Sequence, residues 1–217
     1  MNRYTTRIMY AIVMAMLLCP AVFYAQEQKP ILLPQPQITG GKPLMQALND
    51  RQTSREFSNK KLPEQMLSNL LWAAFGVNRQ DSGKRTAPSA VNWQEIDIYV
   101  TTEDGVYLYD AFKNILQPVL AKDIRALTGT QPFVGDAAVN LVYVADYSKM
   151  GGNSDEGKAR TSMADTGFIG QNVYLFCASE GLATVVRGLV DREALAKELN
   201  LRDNQKITLC QTVGFPK

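Results

Sequence analysis

The chain has 217 residues, 46% of them hydrophobic and 20% charged, and its formal charge is +2. This length and balance predict one globular domain with a substantial core, and they exclude a disordered chain and a protein with many membrane spans. The charge gives no basic excess of the kind that nucleic-acid-binding proteins show, so we exclude that class as well.

The first 25 residues are predicted to be a secretory signal peptide. Arg3 and Arg7 precede an apolar run that is short and interrupted by Pro20, so it does not span a bilayer comfortably. Cleavage is predicted after Ala25, with cleavage after Ala21 as an alternative.

Cleavage would leave 21 basic and 21 acidic residues and no stable membrane span. We therefore expect a mature chain that is exported to the periplasm. Lipid attachment at Cys19 and an uncleaved membrane anchor are the alternatives.

Residues 26–42 are predicted to form an extended arm or linker, because residues 29–43 contain four prolines and a Gly-Gly pair. The domain itself is predicted to cover residues 43–217. Hydrophobic periodicity and turn residues predict an α+β domain. Helices are predicted at 43–51, 62–75, 159–180 and 192–199, a hairpin at 95–110, a central strand at 137–146 and a final strand at 206–215.

The longest predicted helix, 159–180, ends at Gly181. Gly167 and Gly170 lie at helical spacing on one predicted stripe, together with Met163, Tyr174 and Cys177. Two glycines on one stripe predict that this helix packs closely against a neighbouring element.

The chain contains no histidine, which limits its chemistry. A Ser-His-Asp or Cys-His catalytic pair cannot be built, and imidazole metal sites are excluded. Cys177 and Cys210, the two cysteines beyond the signal peptide, are too few for a four-thiolate zinc site, so we predict no metal site. Both lie in apolar runs and are predicted to be buried free thiols, with a disulfide between them as the alternative.

Two arginines with a four-residue spacing, Arg51 and Arg55, surround Thr53 in the segment RQTSREF. On a helix, or at the two ends of its last turn, their guanidinium groups could converge on one doubly charged group, and phosphate fits that description. The alternative is that both arginines pair with Asp50 and Glu56 on a solvated surface.

Three further segments contain residues that could surround a flat ring with a phosphate tail. Small and polar residues in RTAPSAVN, at positions 85–92, come directly before a predicted strand. Gly181 and Ala183 join a helix to a strand with room for a ring near the backbone. The C-terminal segment TVGFPK offers Lys217 as a third phosphate contact.

Together with RQTSREF, these segments resemble the motifs of the nitroreductase family of FMN-dependent oxidoreductases, in content and in order, from about Asp50 to the C-terminus. The resemblance implies a nitroreductase-like α+β fold with a central mixed, mostly antiparallel sheet flanked by helices. It also implies a twofold homodimer with FMN at the interface. RTAPSA is similar to the subgroup that includes azoline oxidases, although the Lys-Tyr catalytic pair of that subgroup has no match here.

The resemblance also implies which residues bind FMN. Residues matching the phosphate-binding positions are Arg51, Gln52, Thr53, Arg55 and Lys217. Gln52 stands where a second basic residue or histidine is common, and the family's basic tail beyond the last strand is missing. Residues matching the segment near the isoalloxazine and ribityl groups are Pro88, Ser89, Ala90 and Asn92, and those matching the ring-lining loop are Gly181, Leu182 and Ala183.

The function that the resemblance implies is hydride transfer from a small-molecule donor such as NAD(P)H, through flavin N5, to a quinone, nitroaromatic or other electron-poor acceptor. Flavin carries this chemistry, so no side chain is predicted to be catalytic. Two alternatives remain: a noncatalytic or degenerate flavin-binding protein, and an exported protein that binds another phosphate compound. The sequence does not identify the natural donor or acceptor.

Overall fold

The structure is a computed structural model that describes residues 28–152 and 154–217. A seven-stranded sheet forms its centre. The strands of the chain are β1 (Ile31–Leu32), β2 (Val77–Arg79), β3 (Lys84–Arg85), β4 (Ile96–Thr102), β5 (Gly105–Asp110), β6 (Ile115–Leu120), β7 (Val139–Asp146), β8 (Ala183–Arg187) and β9 (Gln205–Gly214). In the main sheet the order is β1-β6-β5-β4-β7-β9-β8, and β2 and β3 form a separate hairpin. Each pairing in the main sheet is antiparallel, so the predicted mostly antiparallel sheet is confirmed.

In the described part of the chain, four α-helices flank the sheet: α1 (Leu44–Asp50), α2 (Glu64–Phe75), α3 (Asp155–Glu180) and α4 (Arg192–Glu198). All four were predicted from the sequence. Pro63 precedes α2, which begins two residues after the predicted start at 62, and Gly76 follows its last residue. The α+β class is therefore confirmed.

β7 lies in the middle of the sheet, and all of its residues are buried. Leu141 and Tyr143 belong to the larger hydrophobic cluster on one face, whereas Val142 and Val144 belong to a second cluster on the other face. Because successive side chains of a strand point to opposite faces, a continuous apolar run requires cover on both sides. The prediction of a central, doubly covered strand is confirmed.

The long helix α3 begins at Asp155, four residues before the predicted start at 159. The Ser154 side chain accepts a hydrogen bond from the Gly157 N–H and caps the helix. At the other end Gly181 adopts a left-handed conformation, with φ of 71°, as predicted for a C-terminal glycine.

The predicted glycine stripe on α3 is only partly correct. A Cβ atom on Gly170 would lie 3.3 Å from Val186 Cγ2 and 3.4 Å from Gln211 Oε1, so Gly170 permits close contact with β8 and β9. A Cβ atom on Gly167 would meet nothing within 4 Å, and Met163 is 42% exposed. The buried face of α3 therefore differs from the predicted stripe. The prediction missed it because the face includes polar residues, which hydrophobic periodicity does not count.

The N-terminal arm is extended, as predicted, but its described part is packed on the domain. Its β1 strand pairs with β6, and Leu33 is 5% exposed. The Ser68 hydroxyl donates to Pro34 O at 2.5 Å, and the Lys42 N–H donates to Ser179 Oγ at 2.8 Å. The expectation of an unpacked linker is corrected, because the neighbouring elements satisfy the backbone groups of this proline-rich segment.

The signal-peptide prediction concerns residues outside the part of the chain that the structure describes. Within the described residues, no helix has both the length and the apolar character needed to cross a membrane. Cys177 and Cys210 are both buried and free, so the thiol prediction is confirmed over the disulfide.

Candidate functional site

The first predicted motif, residues 51–57, runs beside the edge strand β8 and contains no helix. The Ser54 N–H donates to Thr184 O at 3.0 Å, and the Ser58 N–H donates to Phe215 O at 2.9 Å. Phe57 is buried and stacks on Phe133, with the ring centroids 5.6 Å apart. Backbone hydrogen bonds and one aromatic anchor therefore hold the motif against the sheet edge.

Tyr174 of α3 connects this motif to the long helix. The Arg51 guanidinium lies over the Tyr174 ring, 5.4 Å from its centroid. The Tyr174 hydroxyl lies 3.1 Å from Thr53 Oγ1 and accepts a hydrogen bond from the Val186 N–H at 3.0 Å. Tyr174 thus positions both Arg51 and Thr53 relative to β8.

The predicted helical convergence of Arg51 and Arg55 is wrong. Arg51 follows the last residue of α1, and the chain from there to Arg55 forms no helix. The two arginines therefore do not share a helical turn.

The surface-pairing alternative for these arginines is also not observed. Asp50 pairs with Lys42, with Nζ 2.8 Å from Oδ2. Among the described residues, no ion pair joins Arg51 or Arg55 to an acidic side chain. The Arg51 charge is thus available to an anion from outside the described chain.

A cavity of about 500 Å³ lies beside Arg51 and has the size of a small-molecule site. It brings together the end of α1, the end of α3 and the loop into β8. The residues that line it are Lys42, Asn49, Asp50, Arg51, Gln52, Ser54, Tyr174, Cys177, Ala178, Gly181, Leu182, Ala183 and Pro216. Pro216, rather than the predicted Lys217, forms part of the wall, and Arg55 and Thr53 lie outside it.

The loop Gly181 to Ala183, which the sequence assigns to the ring-binding part of the site, forms one wall of this cavity. The Leu182 N–H donates to Cys177 O at 2.9 Å, and the Leu182 and Ala183 side chains are buried. A Cβ atom on Gly181 would meet nothing within 4 Å, so this part of the backbone faces open space. A flat ligand could approach the backbone here.

Cys177 also lines the cavity, but its thiol group is unreactive. Burial raises the pKa of the Cys177 thiol far above its ordinary value, and it raises the pKa of Cys210 to about 12. Both groups are therefore protonated at neutral pH, and neither is an activated nucleophile.

The second predicted motif, residues 88–92, does not line this cavity. The Ala90 N–H donates to Asp165 Oδ2 of α3 at 2.9 Å. Asp165 precedes Tyr174 by nine residues, which corresponds to about 13 Å along the helix. Within one chain, Pro88, Ser89, Ala90 and Asn92 are therefore separated from the Arg51 and Gly181 group.

Sequence reasoning did not assign Lys42 or Asn49 to the site, and it placed Tyr174 only on a packing stripe. Lys42 lies in the arm, and its backbone is held by Ser179, which is 137 residues away in sequence. No local pattern indicates such a contact, because it depends on how the arm crosses the end of α3.

Comparison with known proteins gives a consistent match. Residues 48–215 match the model of the nitroreductase family. A protein from Methanocaldococcus jannaschii named as a nitroreductase is 28% identical over 170 residues, which cover 74% of this chain and 85% of the relative.

Solved structures show the same fold. A crystal structure from Ralstonia eutropha JMP134, described as a nitroreductase, is 42% identical with a TM-score of 0.84, and the match covers 88% of this chain and 90% of that one. A nitroreductase structure from Desulfovibrio desulfuricans in complex with FMN is 20% identical with a TM-score of 0.59, covering 82% and 88%. The family match over most of the domain, together with the motifs beside Arg51 and Gly181, shows that this chain belongs to the nitroreductase family.

Proposed function

We propose that this protein is an exported FMN-dependent oxidoreductase of the nitroreductase type. It takes a hydride from a donor such as NAD(P)H and passes it to a quinone, a nitroaromatic compound or another electron-poor acceptor. The observation that carries the proposal is the cavity beside Arg51, where a guanidinium without an acidic partner among the described residues faces a glycine loop open to a ligand. The FMN complex of the Desulfovibrio relative supports the choice of cofactor.

The residues present fit the two ends of FMN. Phosphate is a doubly charged anion, and Arg51 supplies a fixed positive charge in the cavity wall. Lys42 supplies a second one that is paired with Asp50. Gly181 to Ala183 would lie against the flat ring system, since the backbone at Gly181 is not covered by a side chain.

A twofold dimer would complete this site. The 88–92 segment and the Arg51 cavity lie apart along α3, so residues of one chain could cover the cavity of a second chain that packs on the same helix. Exposed apolar side chains on α1 and α3 favour such packing. They are Leu44, Met45, Leu48, Met163 and Phe168.

When bound, FMN supplies hydride transfer at N5, so the chain itself needs no general base. The tasks left to the protein are to bind the phosphate, to orient the ring and to exclude water. Arg51 and Lys42 perform the first task in this proposal, and the Gly181 loop and the 88–92 segment perform the second. The absence of histidine from the sequence is compatible with this division.

Identification of the ligand released from purified protein is the first test. FMN in the released fraction supports the proposal, whereas another phosphate compound without flavin would contradict it. The second test is anaerobic stopped-flow mixing with NADH, NADPH and dithionite, followed by quinone and nitroaromatic acceptors. Reduction by dithionite alone, with no reoxidation by any acceptor offered, would identify a noncatalytic flavoprotein.

Export is the part of the proposal that rests on residues 1–25. Dinucleotides are expected to be scarce outside the cytoplasm, so NADH or NADPH could reduce the flavin in vitro without being the natural donor. Intact mass of the protein from the native envelope fraction tests export. A mature chain that begins near Gln26 is expected, and a species that retains Met1 would contradict cleavage.

A further inference from the structure

Glu95 is a fully buried carboxyl group at the end of the 88–94 loop, directly before β4. No N–H or O–H group of the described residues donates a hydrogen bond to either of its side-chain oxygens. A buried carboxylate without a donor is strongly unfavourable, so the group must be neutral or lose its burial. The pKa of Glu95 is raised to about 7, mainly by burial and in addition by the charge of Asp165, while the backbone of Glu95 and the charge of Lys149 act in the opposite direction.

Asp165 provides the partner that a neutral Glu95 needs. It is 4% exposed on α3, lies within hydrogen-bonding reach of Glu95, and its Oδ2 accepts the Ala90 N–H. A protonated Glu95 can donate its O–H to the Asp165 carboxylate, as two adjacent carboxyl groups do when they share one proton. The resulting chain of contacts runs from Glu95 through Asp165 to the backbone of Ala90.

The loop that this chain of contacts reaches is strained. Val91, Asn92 and Gln94 all have left-handed backbones, with φ of 52°, 56° and 50°. Side chains other than glycine rarely adopt this conformation, so surrounding contacts must hold it. Three contacts hold the loop. The Gln94 N–H donates to Ser89 Oγ at 3.0 Å, and Arg85 Nε donates to Gln94 Oε1 at 2.8 Å. The third is the hydrogen bond from the Ala90 N–H to Asp165.

We propose that Glu95 and Asp165 share one proton and act as a positioning pair that holds the 88–94 loop in its flavin-binding conformation. The proposal rests on the proposed function, because it assumes that this loop contacts FMN. Loss of the proton would leave two carboxylates side by side in a buried site, and their repulsion would release Ala90 and the strained loop. The other charged groups near the pair are Lys149 and its ion-pair partner Asp97, with Nζ 2.7 Å from Oδ1.

The test is fluorescence titration of flavin-free protein with FMN at about pH 6 and about pH 8.5. Wild-type protein should lose about tenfold in affinity at the higher pH. Glu95→Gln stays neutral and can still donate to Asp165, so it should lose no affinity at the higher pH. Glu193→Gln, an exposed control on α4, should keep the wild-type pH dependence.

Infrared spectroscopy of the flavin-free protein gives a readout that does not depend on FMN. A protonated-carboxyl band should be present at about pH 6 in the wild type and should be missing in Glu95→Gln. If wild-type protein binds no FMN but shows this band, the proposed function fails while the proton-sharing pair stands. If wild-type affinity is independent of pH, or if Glu95→Gln keeps the wild-type pH dependence, the positioning role is overturned.

Discussion

At the scale of single residues, Arg51 has the clearest part in the candidate site. Its guanidinium stacks on Tyr174, lines the cavity and has no acidic partner in the described part of the chain. An arginine charge without an acidic partner beside a cavity adds little to the stability of the fold. The arrangement is therefore better explained by an anionic ligand than by stability.

Replacement of Arg51 by alanine should weaken FMN binding by about 1.5–3 kcal/mol, or roughly 10- to 150-fold, because one charge-assisted contact to phosphate is lost. Fluorescence titration of the flavin-free variant measures the change. Lys197→Ala, which removes an exposed charge on α4, serves as the control and should bind like the wild type. Undiminished affinity in Arg51→Ala would return Arg51 to the role of a surface residue.

Lys42 and Asp50 should affect FMN binding in opposite directions. The hydrogen bond from Lys42 lowers the pKa of Asp50, so the Asp50 carboxyl group is ionised at neutral pH. Phosphate and Asp50 would compete for Lys42, so we expect Lys42→Ala to weaken binding and Asp50→Asn to strengthen it, each by about two- to fivefold. The same titration tests both variants, and weaker binding in Asp50→Asn would show that Asp50 positions Lys42 instead.

Glu95 should make the stability of the whole protein depend on pH. Its pKa is raised in the folded state, from an ordinary value of 4.5 to about 7, so the folded protein binds the proton more tightly than the unfolded chain. The resulting stabilisation is complete below about pH 4.5 and is lost as the pH rises through about 7. Over this window the free energy of unfolding should fall by up to about 3 kcal/mol.

Denaturant unfolding across this pH window measures the effect. The free energy of unfolding of the wild type should fall with rising pH relative to that of Glu95→Gln, because glutamine does not titrate. Glu193→Gln should follow the wild type. Parallel curves for the wild type and Glu95→Gln would mean that Glu95 does not hold a proton in the folded state.

At the scale of elements, α3 organises both halves of the candidate site. Tyr174 contacts the Arg51 motif, Asp165 binds the 88–94 loop, and Gly181 ends the helix at the cavity. A rigid helix keeps these contacts at constant spacing. Close packing of α3 on the sheet is therefore a condition for the geometry of the site.

Gly170 and Gly167 provide a matched test of that packing. Gly170→Ala should lower the free energy of unfolding by up to about 2 kcal/mol, since crowding of Val186 and Gln211 costs about 1–3 kcal/mol and better helix propensity offsets about 1 kcal/mol of it. Gly167→Ala adds the same methyl group where nothing lies within 4 Å and should gain up to about 1 kcal/mol from better helix propensity. Equal effects of the two changes in denaturant unfolding would contradict the assigned packing face.

At the scale of the whole molecule, the division of the predicted site residues into two groups is the main structural result. One chain supplies the Arg51 and Gly181 cavity at one end of α3 and the strained 88–94 loop near its middle. Neither group alone surrounds a ring with a phosphate tail. A second copy is the simplest source of the missing half.

A homodimer that buries more than about 2,000 Å² in total is therefore expected, with FMN retained only in the dimer. Light scattering at micromolar concentration measures the mass. Phe168→Glu, which places a charge on the exposed apolar side of α3, should weaken the dimer and the flavin affinity together. A monomeric mass for wild-type protein with flavin still bound would contradict this arrangement.

Local pattern by itself determined most of the secondary structure and the family. Alternation of apolar residues predicted β4, a nearly continuous apolar run predicted β7, Gly181 marked the end of α3, and the order of the motifs identified the nitroreductase family. These features are readable because each depends on residues close together in the chain, where periodicity and backbone preference act directly.

Only the tertiary structure decided which of these residues meet. Ala90 and Asp165 are 75 residues apart, and Lys42 and Ser179 are 137 apart, so their contacts follow from the way α3 crosses the sheet and not from any local preference. The non-helical path of the chain after Arg51 is likewise held by hydrogen bonds from Ser54 to β8 and from Ser58 to the C-terminal segment. The buried state of Glu95, and with it the proposed proton shared with Asp165, arises from packing that no short stretch of sequence specifies.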